Sequence, residues 1–310
     1  MTTLETTRLR DGYAELDEVR LHYVEAGEGP LVVLLHGFPE FWLAWRFQIP
    51  ALAESGFRVV APDMRGYNLS SRPEGVAAYD IDRLTADVAE LVHERGAQRA
   101  LLAGHDWGAA VAWATAMNHP ETVERLAILN VPHPRRMAQG LRTPRQLAKS
   151  WYMFFFQLPW LPEQVVRARR WQLLRAGFEH DARPGAYTEA DIERYIEAWS
   201  QPGAPTAMIN YYRAALRQTP GRIATRLRPV QAPTLVIWGE RDRYLGAELA
   251  EPACDDVPNL EAVVRLPNAS HWVYHDEPER VSQLLVDFFS PAAVQERSAA
   301  GRVGESSSPQ

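Results

Sequence analysis

The sequence has little cysteine, little lysine and no long apolar run. Its 310 residues contain one cysteine, Cys254, which excludes an internal disulfide and a zinc site built on thiolates. The formal net charge is −6 and Lys149 is the sole lysine, which argues against a nucleic-acid partner. Residues 1–11 lack the apolar core of a signal peptide, and the aromatic stretch 151–160 is too short to span a membrane. We therefore expect a cytoplasmic monomer or homodimer with no membrane partner.

Strand and helix signals alternate in the first third of the chain and return near its end. Strands are predicted over Arg20–Ala26, Leu31–Leu35, Arg58–Ala61, Arg99–Ala103, Leu126–Leu129, Thr234–Trp238 and Ala262–Leu266. Helices are predicted over Trp42–Glu54, Ile81–Arg95, Gly108–Met117 and Pro278–Phe289. Such alternation is typical of an α/β protein whose mostly parallel central sheet has helices on both faces. We assign this core to residues 1–132 and 229–290.

The middle of the chain, residues 133–228, carries only helical signals. Helices are predicted over Pro144–Phe155, Glu163–Ala176, Thr188–Trp199 and Thr206–Gln218. The sequence from Thr188 to Asp191 resembles a capping box, which marks the start of the third of these helices. We therefore expect an all-helical cap inserted into the core. Residues 291–310 are rich in Ser, Ala, Gly and Glu, and this composition predicts a disordered tail.

The clearest chemical motif is Gly104-His105-Asp106-Trp107-Gly108, between a predicted strand and a predicted helix. It has the pattern of a nucleophile elbow, a sharp turn whose flanking residues are small, with Asp106 in the position of the nucleophile. The alternative is that Asp106 only caps the helix. A carboxylate that attacks a saturated carbon forms an alkyl ester that water can cleave, whereas attack on an acyl carbon gives an anhydride. An epoxide or an alkyl halide is therefore the expected substrate.

Hydrolysis of such an ester needs a base and an acid that orients the base. His271 is the predicted base, because it lies between the last strand and the last helix; His275 is the competitor, interpreted as a surface or capping residue. Asp242, just after a strand, is the predicted acid, although it could be a turn aspartate. The order nucleophile, acid, histidine is that of hydrolases with such an elbow. Asn130, after the preceding strand, carries no charge that would stabilise an imidazolium.

The ester also needs two N–H groups for the oxyanion of its hydrolysis. Trp107 supplies one directly after the nucleophile, and Phe38 the other, from the segment His36-Gly37-Phe38-Pro39 at the end of a strand. We expect the following residues to border the substrate: His36, Phe38, Pro39, Trp107, Phe154 and Phe155. Side chains and water suffice for this chemistry, so we expect no cofactor and no metal ion.

These motifs resemble the epoxide hydrolases of the α/β-hydrolase superfamily. The resemblance extends from about Asp11 to Phe289 and rests on segments 36–40, 63–67, 104–108 and 270–272. It implies the α/β-hydrolase fold and two cap tyrosines, matched here by Tyr152 and Tyr212, that protonate the epoxide oxygen. Tyr195 and Tyr211 remain alternatives. The chain departs from the family pattern at position 68, where Asn replaces Gly; Asn tolerates a positive φ well.

The predicted function is hydrolysis of an apolar epoxide by water to a vicinal diol, through an ester on Asp106. A haloalkane dehalogenase with the same nucleophile is one alternative. It is less favoured, because Phe38 stands where such an enzyme has a side chain that binds halide, and because the cap offers two tyrosines. A hydrolase-fold receptor without turnover is the other alternative. It is disfavoured because nucleophile, acid, base and both tyrosines are present.

Overall fold

One eight-stranded sheet forms the centre of the protein. The computed structural model describes residue 4, residues 6–217 and residues 227–290. Within them the strands are β1 (Arg10–Glu15), β2 (Arg20–Ala26), β3 (Leu31–Leu35), β4 (Arg58–Pro62), β5 (Ala100–His105), β6 (Val123–Leu129), β7 (Thr234–Gly239) and β8 (Leu260–Leu266). Their order is β1-β2-β4-β3-β5-β6-β7-β8. Strand β2 is antiparallel to both of its neighbours, and the other pairings are parallel.

The sheet confirms the predicted mostly parallel α/β core. Each of the seven predicted strands is present. Four of them are longer than predicted by one to three residues at one end, and β5 begins one residue later and ends two residues later than predicted. The additional strand, β1, lies at the edge of the sheet and is largely exposed. Its residues therefore lack the buried apolar run that identified β3 and β5.

Helices cover both faces of this sheet. In the described residues they are α1 (Gln48–Glu54), α2 (Ile81–Glu94), α3 (Trp107–Asn118), α4 (Pro134–Gly140), α5 (Pro144–Lys149), α6 (Trp151–Phe155), α7 (Leu161–Ala176), α8 (Glu189–Trp199), α9 (Ala204–Leu216), α10 (Val273–Asp276) and α11 (Pro278–Phe289). Helix α2 packs on α3, and α1 packs on α11. Among the described residues, no helix has both the length and the apolar character needed to cross a membrane.

Two helices predicted as continuous are broken, and those two predictions are wrong. The stretch Trp42–Glu54 forms a 3-10 turn at Trp42–Trp45 and then α1. Pro50 explains the break, because proline is tolerated in the first turn of a helix but not in its interior. The stretch Pro144–Phe155 divides into α5 and α6 at Ser150, which leaves helical geometry with φ −92° and ψ 16°.

Between β6 and β7 the described residues form helices and irregular segments without a strand, as expected of a helical cap. Helix α8 begins with the predicted capping box, in which the side chains of Thr188 and Asp191 each accept from the other's backbone N–H. Helix α7 departs from helical geometry at residues 168–171, so the prediction of one continuous helix over Glu163–Ala176 is also wrong. The cap boundaries at 132 and 228 remain predictions. Gln218, the predicted end of the last cap helix, and the predicted disordered tail lie outside the described residues.

Candidate active site

Asp106 lies on a strained turn between β5 and α3. Its backbone has φ 48° and ψ −123°, a conformation that residues with a side chain rarely adopt. A Cβ on Gly104 would lie 2.4 Å from the carbonyl oxygen of Gly108, and a Cβ on Gly108 would lie 2.1 Å from that of Leu35. The turn can therefore form only with glycine on both sides. The Asp106 side chain makes no capping hydrogen bond to α3, which argues against a mere helix cap.

A backbone N–H donates to the Asp106 carboxylate. The N–H of Phe38 donates to Asp106 Oδ1 at 2.7 Å. Trp107 is the first residue of α3, where backbone N–H groups have no partner within the helix. Gly37 allows this approach, because a Cβ there would lie 2.3 Å from the Cβ of Asp106. Of the two N–H groups predicted for an oxyanion, that of Phe38 contacts the carboxylate, and the role of the Trp107 N–H stays a prediction.

His271 lies between two carboxylates. Its Nδ1 is 2.7 Å from Asp242 Oδ2, and its Nε2 is 3.5 Å from Asp106 Oδ2. Burial alone would lower the pKa of His271, but Asp242 and Asp106 outweigh it and raise that pKa to about 10. For both carboxyls burial opposes ionisation, and His271 nevertheless holds their pKa values below the ordinary range. At rest the site therefore holds an imidazolium between two carboxylates.

Asn130 positions the Asp242 carboxylate by a hydrogen bond, a role that the sequence did not indicate. Its Nδ2 donates to Asp242 Oδ2 at 2.8 Å, and its Oδ1 accepts from the N–H of Gly239 at 2.9 Å. The other oxygen, Asp242 Oδ1, accepts from the N–H groups of Tyr244 and Leu245 at 2.7 and 2.8 Å. With both oxygens fixed, Asp242 can orient the imidazole of His271. Asn130 follows β6 as Asp242 follows β7, and this shared position at the strand ends is the signal that could have revealed the contact.

Two cap phenols line the same cavity as the Asp106 carboxylate. The Tyr152 and Tyr212 rings meet edge to face with centroids 5.7 Å apart, and the ring of Trp107 is 5.1 Å from that of Tyr212. Burial raises the pKa of both phenols, and the charge of Asp106 raises it further. Both are therefore neutral donors at physiological pH. Tyr195 and Tyr211 instead donate to Glu40 Oε1 and to the carbonyl of Arg65.

Two cavities lie on either side of these groups. The smaller has a volume of about 120 Å³ and borders His271, Phe38, Pro39 and Phe155, together with Trp151, Phe156 and Tyr244, which the sequence did not single out. The larger has a volume of about 330 Å³ and extends along α3 past Trp107. Two predicted substrate contacts are wrong. His36 is fully buried below the site, where its Nε2 accepts from the Met64 N–H at 2.9 Å. Phe154 is 46% exposed and lies outside both linings.

His275 is not a surface residue, contrary to prediction. It is buried, with Nε2 3.1 Å from Glu40 Oε1 and Nδ1 2.8 Å from Arg46 Nη1. Glu40 also accepts from phenols of the cap and the core: Tyr187, Tyr195 and Tyr274. Tyr274 in turn contacts His105, the residue before the nucleophile. Through His105 this buried cluster packs against the turn that carries Asp106. Its members are far apart in sequence, so no local sequence pattern indicates the cluster.

Comparisons with known proteins identify the family. Residues 30–278 match the model of the α/β-hydrolase fold family. The chain is 43% identical to the AB hydrolase superfamily protein YfhM of Bacillus subtilis over 89% of its length and 96% of that protein. It is 40% identical to human epoxide hydrolase 4, over 87% of this chain and 75% of the relative. The chain belongs to the epoxide hydrolases of the α/β-hydrolase superfamily. The crystal structure of epoxide hydrolase A from Mycobacterium thermoresistibile superimposes with a TM-score of 0.82 and 33% identity, covering 91% and 98% of the two chains.

The family assignment confirms the resemblance expected from the motifs. The one departure from the family pattern has a structural explanation. Asn68 adopts φ 40°, as a glycine would, and its Nδ2 donates to Asp63 Oδ2 at 2.8 Å. The turn that the family builds with glycine is therefore kept, with a hydrogen bond that glycine cannot make.

Proposed function

We propose that the protein hydrolyses epoxides to vicinal diols through an ester on Asp106. The observation that carries this proposal is that Asp106, Tyr152, Tyr212 and His271 line one cavity. A carboxylate is suited to attack a saturated carbon, and neutral phenols are suited to donate to the oxygen that leaves it. An epoxide presents both atoms in one small ring.

In the first step an Asp106 oxygen bonds to a ring carbon and the bond from that carbon to the epoxide oxygen breaks. The oxygen takes a proton from one phenol while the other donates a hydrogen bond. The phenolate that remains is strongly basic, because burial and Asp106 raise the pKa values of both phenols. It recovers a proton from the His271 imidazolium, through water where needed. The step ends with a neutral ester, two neutral phenols and a neutral imidazole.

In the second step water attacks the ester carbonyl carbon and His271 takes the proton of that water. The tetrahedral oxyanion is stabilised by the N–H groups of Phe38 and Trp107. Collapse breaks the bond between the carbonyl carbon and the diol oxygen, and this oxygen leaves as a hydroxyl because it takes the remaining proton of the added water. The Asp106 carboxylate and the His271 imidazolium are restored, so the protons balance over the cycle.

A single turnover in ¹⁸O-labelled water tests the covalent route. With excess enzyme and styrene oxide, the attacking oxygen comes from Asp106, so the first diol formed carries the ordinary isotope and labelled oxygen enters the carboxyl group. Label in the diol during the first turnover would show that water attacks the epoxide directly, which overturns the ester.

A bromoalkane offered in parallel tests the competing function. We expect no bromide release above the uncatalysed rate, because the side chain of Phe38 cannot donate a hydrogen bond to a halide. Bromide release faster than diol formation would favour a dehalogenase instead. Absence of turnover with both compounds, together with saturable binding, would favour a receptor.

A further inference from the structure

The two cavities lie next to each other at the reacting groups. Three residues line both of them, and these are Asp106, Tyr152 and Tyr212. A ring held between the carboxylate and the phenols therefore has open space beyond each of its two carbons. The space is unequal, because one arm measures about 120 Å³ and the other about 330 Å³.

The larger arm is aliphatic and uncharged. Its floor is one face of α3, where Trp107, Ala110, Ala114 and Met117 recur at intervals of three or four residues and so lie above one another. In the part of the chain that the structure describes, Asp106 is the only charged residue in its lining. A carboxylate or ammonium group buried there would have no partner, which is costly.

The smaller arm is largely aromatic. Phe155, Phe156 and Trp272 line it together with Gly177. A Cβ on Gly177 would lie 3.3 Å from the Tyr244 hydroxyl oxygen, so alanine at position 177 would narrow this arm. Its volume of about 120 Å³ gives room for a shorter substituent than the larger arm can hold.

We propose, on the basis of the proposed function, that the preferred substrate is a neutral epoxide substituted on both ring carbons. A short group occupies the smaller arm, and an unbranched aliphatic chain occupies the larger one. Ala110 and Ala114 determine how long that chain can be. They lie one and two helical turns beyond Asp106, about 6 and 12 Å along the axis at about 1.5 Å per residue.

The test uses trans-2,3-epoxyalkanes of increasing chain length. Each added methylene should raise kcat/KM by about fourfold until the arm is full, as expected for burial of one methylene. The analogue with a terminal carboxylate in place of the last methyl group should lose this gain. A kcat/KM that does not depend on chain length, or equal activity of the carboxylate analogue, would overturn the proposal.

Three variants locate the two arms. Ala114→Leu should lower the ratio of kcat/KM for long over short epoxides by tenfold or more, and Ala110→Leu should lower it from a shorter chain onward. Gly177→Ala is the matched control in the other arm. It should lower kcat/KM for epoxides with a larger second substituent and should not change how kcat/KM depends on the length of the aliphatic chain. If both leucine variants lower kcat/KM equally for every chain length, Ala110 and Ala114 do not limit the length of the chain that the larger arm accepts.

Binding of N-alkylpropanamides separates this proposal from the proposed function. Their carbonyl oxygen can accept from the two phenols and their N–H can donate to Asp106, and no turnover is needed. Affinity that rises with alkyl length in the wild type and is cut short by Ala114→Leu would support the arms even if epoxides were not hydrolysed. If epoxides are hydrolysed but the affinity for the amides does not depend on alkyl length, the proposal about the two arms is wrong and the proposed function stands.

Discussion

Replacement of His271 by glutamine should stop the reaction at the ester. Glutamine cannot take a proton from water, whereas His271 can once Asp106 is esterified. General-base catalysis contributes about 10²- to 10⁴-fold, or about 3–5 kcal/mol, so hydrolysis of the ester should slow by this factor. Alkylation should be affected less, because the Phe38 N–H remains 2.7 Å from Asp106 Oδ1 and both phenols remain.

The assay is intact-protein mass spectrometry after mixing His271→Gln with styrene oxide. We expect the mass to rise by one substrate and the added mass to map to Asp106. The reaction is best run at about pH 9, because loss of the imidazolium raises the pKa of Asp106, which must be ionised to attack. The variant that also carries Asp106→Ala is the matched control and should show no adduct. Turnover at the wild-type rate, with no adduct at any time, would refute the role of His271.

Four further results are expected. With Tyr152→Phe or Tyr212→Phe, alkylation should slow by about 10²- to 10³-fold, as for the loss of one oxyanion donor, and the double variant should give no burst of adduct. Asn130→Leu should lower kcat by tenfold or more with little change in KM in steady-state assays, because it frees the acid that orients the base. Gly108→Ala should fail to fold or should lower Tm strongly in calorimetry, because its Cβ meets a backbone oxygen. Ester hydrolysis in rapid-mixing experiments should rise with pH through a pKa below the value of about 10 that His271 has at rest, since alkylation removes the Asp106 charge 3.5 Å away; a pKa of 10 or above would contradict this.

The parts of the site that sequence could predict depend on local chain geometry. The elbow needs Gly104 and Gly108 for steric reasons, so the motif itself indicates where Asp106 lies. The predicted strand ends bring Asp242 and His271 to the carboxyl edge of the sheet, and their short contact follows. The cap tyrosines came from family resemblance, because no periodicity distinguishes a catalytic phenol from a packed one.

The parts that sequence could not predict depend on contacts between distant segments. His275 has polar neighbours in sequence, Asp276 and Glu277, and such neighbours indicate a surface position. Its burial follows from Glu40 and Arg46, which come from the other end of the chain. Phe154 and Phe155 are adjacent on a single turn of helix, so they must point in different directions. Only the docking of α6 on the core decides which of the two meets the cavity.

The charge balance of the site explains why the cap contributes phenols and not cations. A lysine or arginine beside Asp106 would pair with the carboxylate and weaken it as a nucleophile. A phenol donates to the epoxide oxygen without adding a charge. Among the described residues, neither cavity is lined by a lysine or arginine, and the Nζ of the sole lysine, Lys149, donates to the carbonyl of Asp242, 2.6 Å away. Of the described residues that line the smaller cavity with Asp106, only His271 carries a positive charge, and in the proposed cycle this charge is lost when the ester forms and returns when the ester is hydrolysed.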